Sequence, residues 1–491
     1  MTTLRALFFC TVSSFVLLAL PALSRAQEAK TLERTLDAIV VTGEAAKPLW
    51  GKKIDNLRVF ANRSGNWEVV PFQIDKKNPD GEFLIAESTV DPQVSKETGF
   101  ESIPEAKKRE KRIKKFEKKR DDYEEDVKEG RMKASDLEDR RQKAYWSERE
   151  GEIDYNDEIV FMAKDTGDRV PRALWKAPEG AELEITDPVD HSRSWAYLFY
   201  FPENPPALST TDYVVYKPKE DQIIASMGEV DFDDERPMIV KSIVGIMPNG
   251  TRIPNILDRF KLRIRVQPYG LFCAPLFFDE QNAKGVTLGY KDGPVRVLRR
   301  NMFWVVIAGI RLPFAPKIIM YFKFYENGLA TDAEFSNPIA AKYMVCPGSR
   351  FTAGLDLRNN ARGAKIFTKD NKGIVIDGKM SPEEKNLKVD NQTWIAGFLP
   401  NKAALMSRMI YDERLVQSGA VLDLHLDDDD EKEDDPEDEK GQHLIGYTMD
   451  VRKFPSGTYR VGFQVYVAYD FEPGQEQQLF NIDDNPLKIV A

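Results

Sequence analysis

Cysteine and histidine are scarce in this sequence. The chain of 491 residues contains three of each, and its histidines, His191, His425 and His443, are far apart. Zinc sites in proteins draw on closely spaced cysteines and histidines, and no such spacing occurs here. The sequence therefore predicts no metal site, and it indicates no cofactor.

Two cysteines lie outside the N-terminal segment, Cys273 and Cys346. An oxidising compartment would allow them to form a disulfide. Two thiols so far apart in sequence can equally remain unpaired as small buried residues. Both alternatives stay open at the level of sequence.

Sequence motifs of common enzyme classes are also absent. The chain has no phosphate-binding loop, no dinucleotide-binding glycine pattern and no nucleophile motif. These absences weaken the case for an enzyme but do not exclude one.

Long uncharged apolar runs are confined to the N-terminus. Arg5 precedes the apolar residues 6–23, and Ser24 and Ala26 place small residues at the positions that signal peptidase recognises. We expect residues 1–26 to be a signal peptide, cleaved after Ala26. The sequence thus predicts a bacterial protein that is periplasmic or secreted.

The most apolar part of the remaining chain is residues 301–325. Charged residues and prolines interrupt it, among them Arg311, Pro313 and Lys317. A membrane-spanning helix needs about 20 apolar residues without such interruptions. We therefore expect buried strands in this stretch and no membrane span.

The net charge of −10 is unevenly distributed along the chain. Residues 104–150 consist largely of Lys, Arg, Glu and Asp, and Gly130 divides them. This composition predicts a charged helical hairpin, with the character of a coiled coil, inserted into a β-domain. The hairpin is a candidate docking site for a protein partner. Nucleic acid is not expected as a partner, because acidic residues balance the basic ones.

A second charged segment, residues 427–440, is almost purely acidic. It holds few apolar residues, and it lacks the central glycine and the ligand spacing of a calcium-binding loop. We expect a disordered, solvated loop, with weak binding of cations as the alternative.

Elsewhere, short runs rich in Val, Ile, Phe and Tyr alternate with turn residues about every ten residues. Residues 62–66 predict a hairpin turn, and the alternating apolar residues of 459–469 predict one long strand. After residue 150, helical spacing is confined to short stretches such as 401–416. The predicted fold class is mainly β, with several β-sandwich-like domains in series and an inserted charged helical hairpin.

Three domains are expected after the signal peptide, since domains commonly hold about 100–200 residues. An N-terminal β-sandwich domain at 27–205 carries the hairpin at 104–150. A central β domain follows at 206–350. A C-terminal β domain at 351–491 carries the acidic loop at 427–440.

The strongest candidate for a binding site is a row of cations in one predicted strand. Because alternate side chains of a strand point to opposite faces, Phe260 and Ile264 face a core while the other face carries a row about 20 Å long. We call this row the cationic row; it consists of Arg259, Lys261, Arg263 and Arg265. Nearby in sequence, Arg296, Arg299 and Arg300 could extend it. Either acids from neighbouring strands neutralise these cations, or an anionic ligand such as an acidic polysaccharide does.

Five carboxylates crowd residues 154–168. Paired carboxylates can act as acid and base in glycoside cleavage or bind hard metal ions. Asp and Gly are also the residues that turns require, and this structural role is the simpler interpretation. The five are Asp154, Asp157, Glu158, Asp165 and Asp168.

Aromatic side chains are frequent in the first half of the chain. Sugars stack on exposed aromatic rings, but a buried aromatic core is the commoner explanation. The candidates are Trp50, Trp67, Trp175, Trp195, Tyr197 and Tyr200.

Three short segments carry a resemblance to known proteins. The sequences VPFQID at 70–75 and DEIVFM at 157–162 resemble uncharacterised exported bacterial β-rich proteins. VPFQID and the GPVR sequence at 293–296 are more distantly similar to segments of β-supersandwich polysaccharide lyases. The resemblance implies a carbohydrate-related function and identifies no catalytic residue.

Taken together, these features predict an exported soluble protein that binds an anionic glycan or another component of the cell envelope. The first alternative is a lyase-like enzyme acting on polysaccharide. The second is a structural or assembly protein that docks a partner through residues 104–150.

Overall fold

A computed structural model describes residues 28–87, 91–100, 104–149, 151–307, 310–311, 318–433 and 439–491. The predicted signal peptide and its cleavage site lie outside these residues. None of the helices in the described ranges is long and apolar enough to cross a membrane.

Most of the regular structure consists of β-strands, as predicted. The strands are β1 (Ala38–Thr42), β2 (Leu57–Arg63), β3 (Asn66–Val69), β4 (Phe72–Asp75), β5 (Ala86–Glu87), β6 (Glu158–Met162), β7 (Gly180–Thr186), β8 (Arg193–Tyr200), β9 (Val214–Lys217), β10 (Gln222–Ala225), β11 (Gly228–Phe232), β12 (Val240–Ile246), β13 (Arg252–Ile253), β14 (Leu257–Val266), β15 (Leu276–Phe278), β16 (Ala283–Lys291), β17 (Val297–Ile307), β18 (Ile310–Arg311), β19 (Ile318–Tyr325), β20 (Gly328–Asn337), β21 (Arg350–Leu357), β22 (Lys365–Thr368), β23 (Lys372–Val375), β24 (Trp394–Phe398), β25 (Ala403–Tyr411), β26 (Asp423–Asp429), β27 (Gln442–Asp450), β28 (Gly457–Tyr469) and β29 (Lys488–Val490).

Helices are few in the described ranges. They are α1 (Pro92–Thr98), α2 (Glu105–Lys128), α3 (Ala134–Tyr145), α4 (Glu413–Gln417) and α5 (Glu476–Asp484). The predicted charged hairpin is confirmed as α2 and α3, which pack against each other around Phe116. Gly130 lies between them at a φ of 74°, a left-handed conformation that glycine adopts at little cost.

The strands form five sheets, several of them sandwich-like. Their strand orders are β1-β6-β4, β29-β7-β8-β2-β3, β13-β12-β11-β10-β9, β15-β14-β21-β27-β26 and β23-β22-β24-β25-β28-β20-β19-β17-β16-β5, with β18 paired to β17. The predicted hairpin turn at 62–66 is confirmed, since Arg63 pairs with Asn66 across β2 and β3. The C-terminal strand β29 pairs with β7 and so lies in one sheet with β2 and β3. The three domain boundaries stay a prediction.

Apolar side chains from facing sheets form the cores. One core lies between the β1-β6-β4 sheet and the β29-β7-β8-β2-β3 sheet and includes Ile39, Phe161 and Leu198. The largest sheet is covered in part by β9–β12 and in part by β21, β26 and β27. These layers place β14 beside β21 and position the cationic row.

Candidate functional site

The cationic row lies on β14, a strand as predicted, but Phe260 and Ile264 on its other face are only half-buried and do not form the expected core. Leu257, Arg259, Lys261, Arg263 and Arg265 each face a residue of β21 across the antiparallel pair. The row is not evenly exposed, however. Lys261 is buried, Arg259 and Arg263 are half-buried, and Arg265 is exposed.

Two members of the row are held by buried carboxylates. The Lys261 ammonium lies 3.5 Å from Asp356, and both side chains are buried. The Arg263 guanidinium lies 2.5 Å from Glu280, which also accepts the backbone N–H of Leu262 at 2.9 Å. Removing Arg263 would leave the buried Glu280 without its cationic partner, so this arginine supports the fold.

The exposed end of the row has a different character. Phe277, Arg265, Arg350 and Asp450 lie directly opposite one another on the adjacent strands β15, β14, β21 and β27, and so share one face of the sheet. The guanidinium of Arg265 lies 6.0 Å from the ring centroid of Phe277. Arg265 and Arg350 thus sit side by side as like charges, with Asp450 on the far side of Arg350.

Arg296, Arg299 and Arg300 do not extend this surface. They lie at β17 in the largest sheet, and all three are buried. Arg299 lies 2.5 Å from Asp221 and its guanidinium is 4.2 Å from the ring of Phe232. Burial lowers the pKa of Arg299. The expected extension of the cationic row by these arginines is therefore wrong, because each is directed into the interior.

The three segments that carry the resemblance meet at Arg296. Its guanidinium nitrogen Nη2 lies 2.7 Å from Asp75 of β4 and 2.5 Å from Glu158 of β6. Gln73 donates its side-chain amide to Asp75 at 2.9 Å and accepts the backbone N–H of Arg296 at 2.8 Å. A Cβ on Gly293 would lie 2.4 Å from the Gln73 side chain, so only glycine allows this approach. We call these residues the Arg296 cluster.

The Arg296 cluster is a buried network of charges. Burial alone would raise the pKa of Glu158, but the charges of Arg296 and Lys77 outweigh it and lower the pKa. Burial raises the pKa of Tyr325, whose hydroxyl lies 3.3 Å from Arg296, and lowers the pKa of Lys323. Paired carboxylates can cleave glycosidic bonds; here both are bound by Arg296, and Asp75 has no exposed side-chain surface. The arrangement joins the β1-β6-β4 sheet to the largest sheet.

The five carboxylates of 154–168 are divided among separate partners. Glu158 belongs to the Arg296 cluster, whereas Asp154 and Asp157 contact Lys76 at 3.5 Å and 2.8 Å. Asp165 accepts the Tyr213 hydroxyl at 3.0 Å. Asp168 accepts two backbone N–H groups at 2.9 Å. Among the residues that the structure describes, no group of three or more His, Cys, Asp or Glu side chains could hold a metal ion.

The aromatic residues of the first half form a core. Trp195 and Tyr197 are buried, and Trp67 and Trp175 pack against Tyr197 with ring centroids 5.0 Å and 5.8 Å away. Tyr200 is half-buried, and Trp50 alone of the six is exposed. The prediction of a buried aromatic core is thus confirmed for the rings around Tyr197.

The acidic segment begins in a strand, which corrects the expectation of a disordered loop from residue 427. Asp427, Asp428 and Asp429 end β26, and Asp428 is fully buried. Its carboxylate lies 2.6 Å from Nδ1 of His443 and accepts the backbone N–H groups of Asp377 and Gly378 at 2.8 Å and 3.0 Å. Their hydrogen bonds stabilise the buried carboxylate of Asp428. These partners come from distant segments, so the composition of residues 427–440 does not reveal them.

We predict a pH-dependent contribution of His443 to stability. Burial lowers the pKa of His443, but the hydrogen bond and charge of Asp428 outweigh it, so the net pKa is raised above 6.5. A histidine with a raised pKa stabilises the fold fully below its unfolded-state pKa, and this contribution is lost as pH rises through the folded-state pKa. Urea unfolding of the wild type and of His443→Gln should show the wild type losing more stability above pH 6.5. Identical pH profiles would contradict the assignment.

Sequence reasoning missed an exposed apolar surface next to Arg265 and Arg350. Segments 267–278 and 338–349 are joined by a disulfide between Cys273 and Cys346, with Cα atoms 5.8 Å apart. We call the two segments the apolar tip. One feature of the sequence could have revealed this surface: residues 267–278 contain no charged residue, although 31% of the chain is charged. The disulfide resolves the alternatives that the sequence left open.

Comparisons with known proteins find weak structural similarities. No protein-family model matches the sequence, and no curated protein matches it significantly. A glycosyl hydrolase family 38 protein from Enterococcus faecalis is similar with a TM-score of 0.41 and 8% identity, over 95% of this chain and 47% of that one. An α-mannosidase from the same organism has a TM-score of 0.35 and 9% identity, over 63% of this chain and 39% of that one. The chain thus spans less than half the length of these two proteins, and such low TM-scores assign no shared fold.

Proposed function

We propose that the protein is exported and binds an anionic glycan of the cell envelope at the exposed end of the cationic row. The observation that carries the proposal is the placement of Arg265 and Arg350 side by side on adjacent strands, with Phe277 on the same face. Like charges directly opposite each other in a sheet are unfavourable. An anion bound across both guanidinium groups would remove this cost.

The chemistry of these side chains fits an acidic sugar. Arginine binds carboxylate and sulfate through paired hydrogen bonds, and the ring of Phe277 is 71% exposed and free to pack on a sugar face. The other members of the row serve the fold, since Lys261 and Arg263 are held by Asp356 and Glu280. The proposed contact is therefore smaller than the row that the sequence predicts.

The test replaces both exposed arginines. We expect Arg265→Ser with Arg350→Ser to weaken binding to heparin or polygalacturonate by at least about tenfold, because hydrogen bonds to charged groups contribute about 1.5–3 kcal/mol each. The melting temperature should stay close to that of the wild type, since both side chains are exposed. Binding of the wild type should weaken with salt, which screens charges beyond about 8 Å at 0.15 M.

A control variant loses the same two positive charges at a different place in the fold. Lys365→Ser with Lys372→Ser removes two exposed cations from β22 and β23 in a different sheet, and we expect it to bind both polysaccharides like the wild type. The proposal is wrong if the wild type binds neither polysaccharide, or if the two double variants lose affinity equally.

A further inference from the structure

The apolar tip is the most exposed apolar surface of the described chain. Phe272 is 98% exposed and Tyr343 is 70% exposed. Soluble proteins rarely expose contiguous apolar surface without a binding role. The other exposed apolar residues of the tip and its base are Tyr269, Leu271, Phe277, Ile339 and Met344.

The backbone of the tip is well connected. Besides the disulfide, the N–H of Tyr269 donates to the carbonyl of Met344 at 3.1 Å, and the N–H of Cys346 donates to the carbonyl of Gln267 at 2.8 Å. Phe272 has a φ of 52°, a left-handed conformation that is strained for a bulky side chain. The tip thus presents Phe272 outward from a cross-linked loop.

The charged residues of the tip are cations, and two of them lie at its base. Arg265 and Arg350 lie at the bases of the two segments, and Lys342 lies within the second, whereas neither segment contains an acidic residue. Asp279 follows the first segment and accepts the N–H of Gln281; Asp450 lies opposite Arg350 across β21 and β27 and accepts the N–H of Arg452. Apolar residues therefore protrude beyond a base of cations.

We infer that the apolar tip inserts into the interfacial region of a bilayer that contains anionic phospholipid. Aromatic and leucine side chains partition to the depth of the lipid headgroups, and cations nearby are attracted to anionic lipid. Phe272 and Tyr343 are the most exposed large apolar side chains of their respective segments, and a lipid interface accepts such side chains without the matching pocket that a protein partner would need. The inference goes beyond glycan binding: it rests on Phe272 and Tyr343, which the proposed function does not use, and shares only the cations Arg265 and Arg350 with it.

The experiment measures flotation of the exported protein with lipid vesicles. We expect the wild type to float with vesicles of phosphatidylcholine mixed with phosphatidylglycerol, and less with phosphatidylcholine alone. Phe272→Ser with Tyr343→Ser should lower the bound fraction by about tenfold, because apolar burial drives insertion. Binding of heparin should be unchanged in this variant.

A control removes equally exposed apolar side chains elsewhere. Leu174 and Leu208 are 65% and 58% exposed, and Leu174→Ser with Leu208→Ser should float like the wild type. The inference is overturned if the wild type does not float, or if both double variants float equally. It is also overturned if the wild type self-associates through Phe272 and Tyr343, because the tip would then be a protein interface. Loss of heparin binding by Arg265→Ser with Arg350→Ser, without any flotation of the wild type, would remove this inference and leave the proposed function intact.

Discussion

Replacing Arg296 by methionine should lower the free energy of unfolding by about 3–5 kcal/mol, the usual cost of removing one partner of a buried ion pair. Methionine retains much of the apolar stem but leaves Asp75 and Glu158 without the guanidinium that binds both. Asp75 has no exposed side-chain surface, so water cannot replace the lost hydrogen bonds. Urea unfolding at neutral pH measures the loss.

A matched control separates the buried contact from a partly exposed one. Lys291 contacts the same Asp75 at 2.8 Å, but a third of its side chain is exposed. We expect Lys291→Met to cost clearly less than Arg296→Met, because water compensates for the lost ammonium. A triple variant, Arg296→Met with Asp75→Asn and Glu158→Gln, should recover part of the stability, since neither carboxylate that lost the guanidinium is then charged. An Arg296→Met variant as stable as the wild type would refute the structural role of the cluster.

Replacing Cys273 and Cys346 by serine should lower the free energy of unfolding by about 4 kcal/mol, from the chain entropy that a cross-link of this length removes from the unfolded state. The two cysteines are 73 residues apart in sequence. Urea unfolding under non-reducing conditions measures the effect. The wild type treated with a reductant should approach the stability of the double variant.

The double serine variant also tests what the disulfide does locally. The hydrogen bonds between 267–269 and 344–346 remain possible without it, so we expect the sheets to form and the apolar tip to gain mobility. Proteolysis should then cleave the variant first within 267–278. If the reductant leaves the free energy of unfolding of the wild type unchanged, the disulfide does not stabilise the fold and the prediction is wrong.

Much of the fold follows from periodicity. The alternation of residues 459–469 predicts β28, and the alternation around the cationic row predicts the strand β14. The stretch 401–416 misled this approach: its Ala, Leu and Met residues favour helix, yet most of it forms β25. That strand lies between β24 and β28, and the pairing with two neighbours outweighs the local propensity.

The candidate site was predicted only in part. The cations were identified, but their partners come from distant segments: Asp356 and Glu280 for the row, Asp75 and Glu158 for Arg296. A strand pattern specifies which face a side chain occupies and not what covers that face. Burial of Lys261 and exposure of Arg265 therefore could not be distinguished from the sequence.

The sequence by itself determined the class of the fold, the charged helical hairpin and the direction of the alternating side chains, because these depend on local spacing and composition. The tertiary structure alone decided which cations are neutralised, that Cys273 pairs with Cys346, and that Arg265 and Arg350 lie together at the base of the apolar tip. Each of these depends on contacts between residues far apart in the chain. Ion pairs and buried contacts form only between groups a few ångströms apart. Which groups meet is therefore decided only once the sheets have packed.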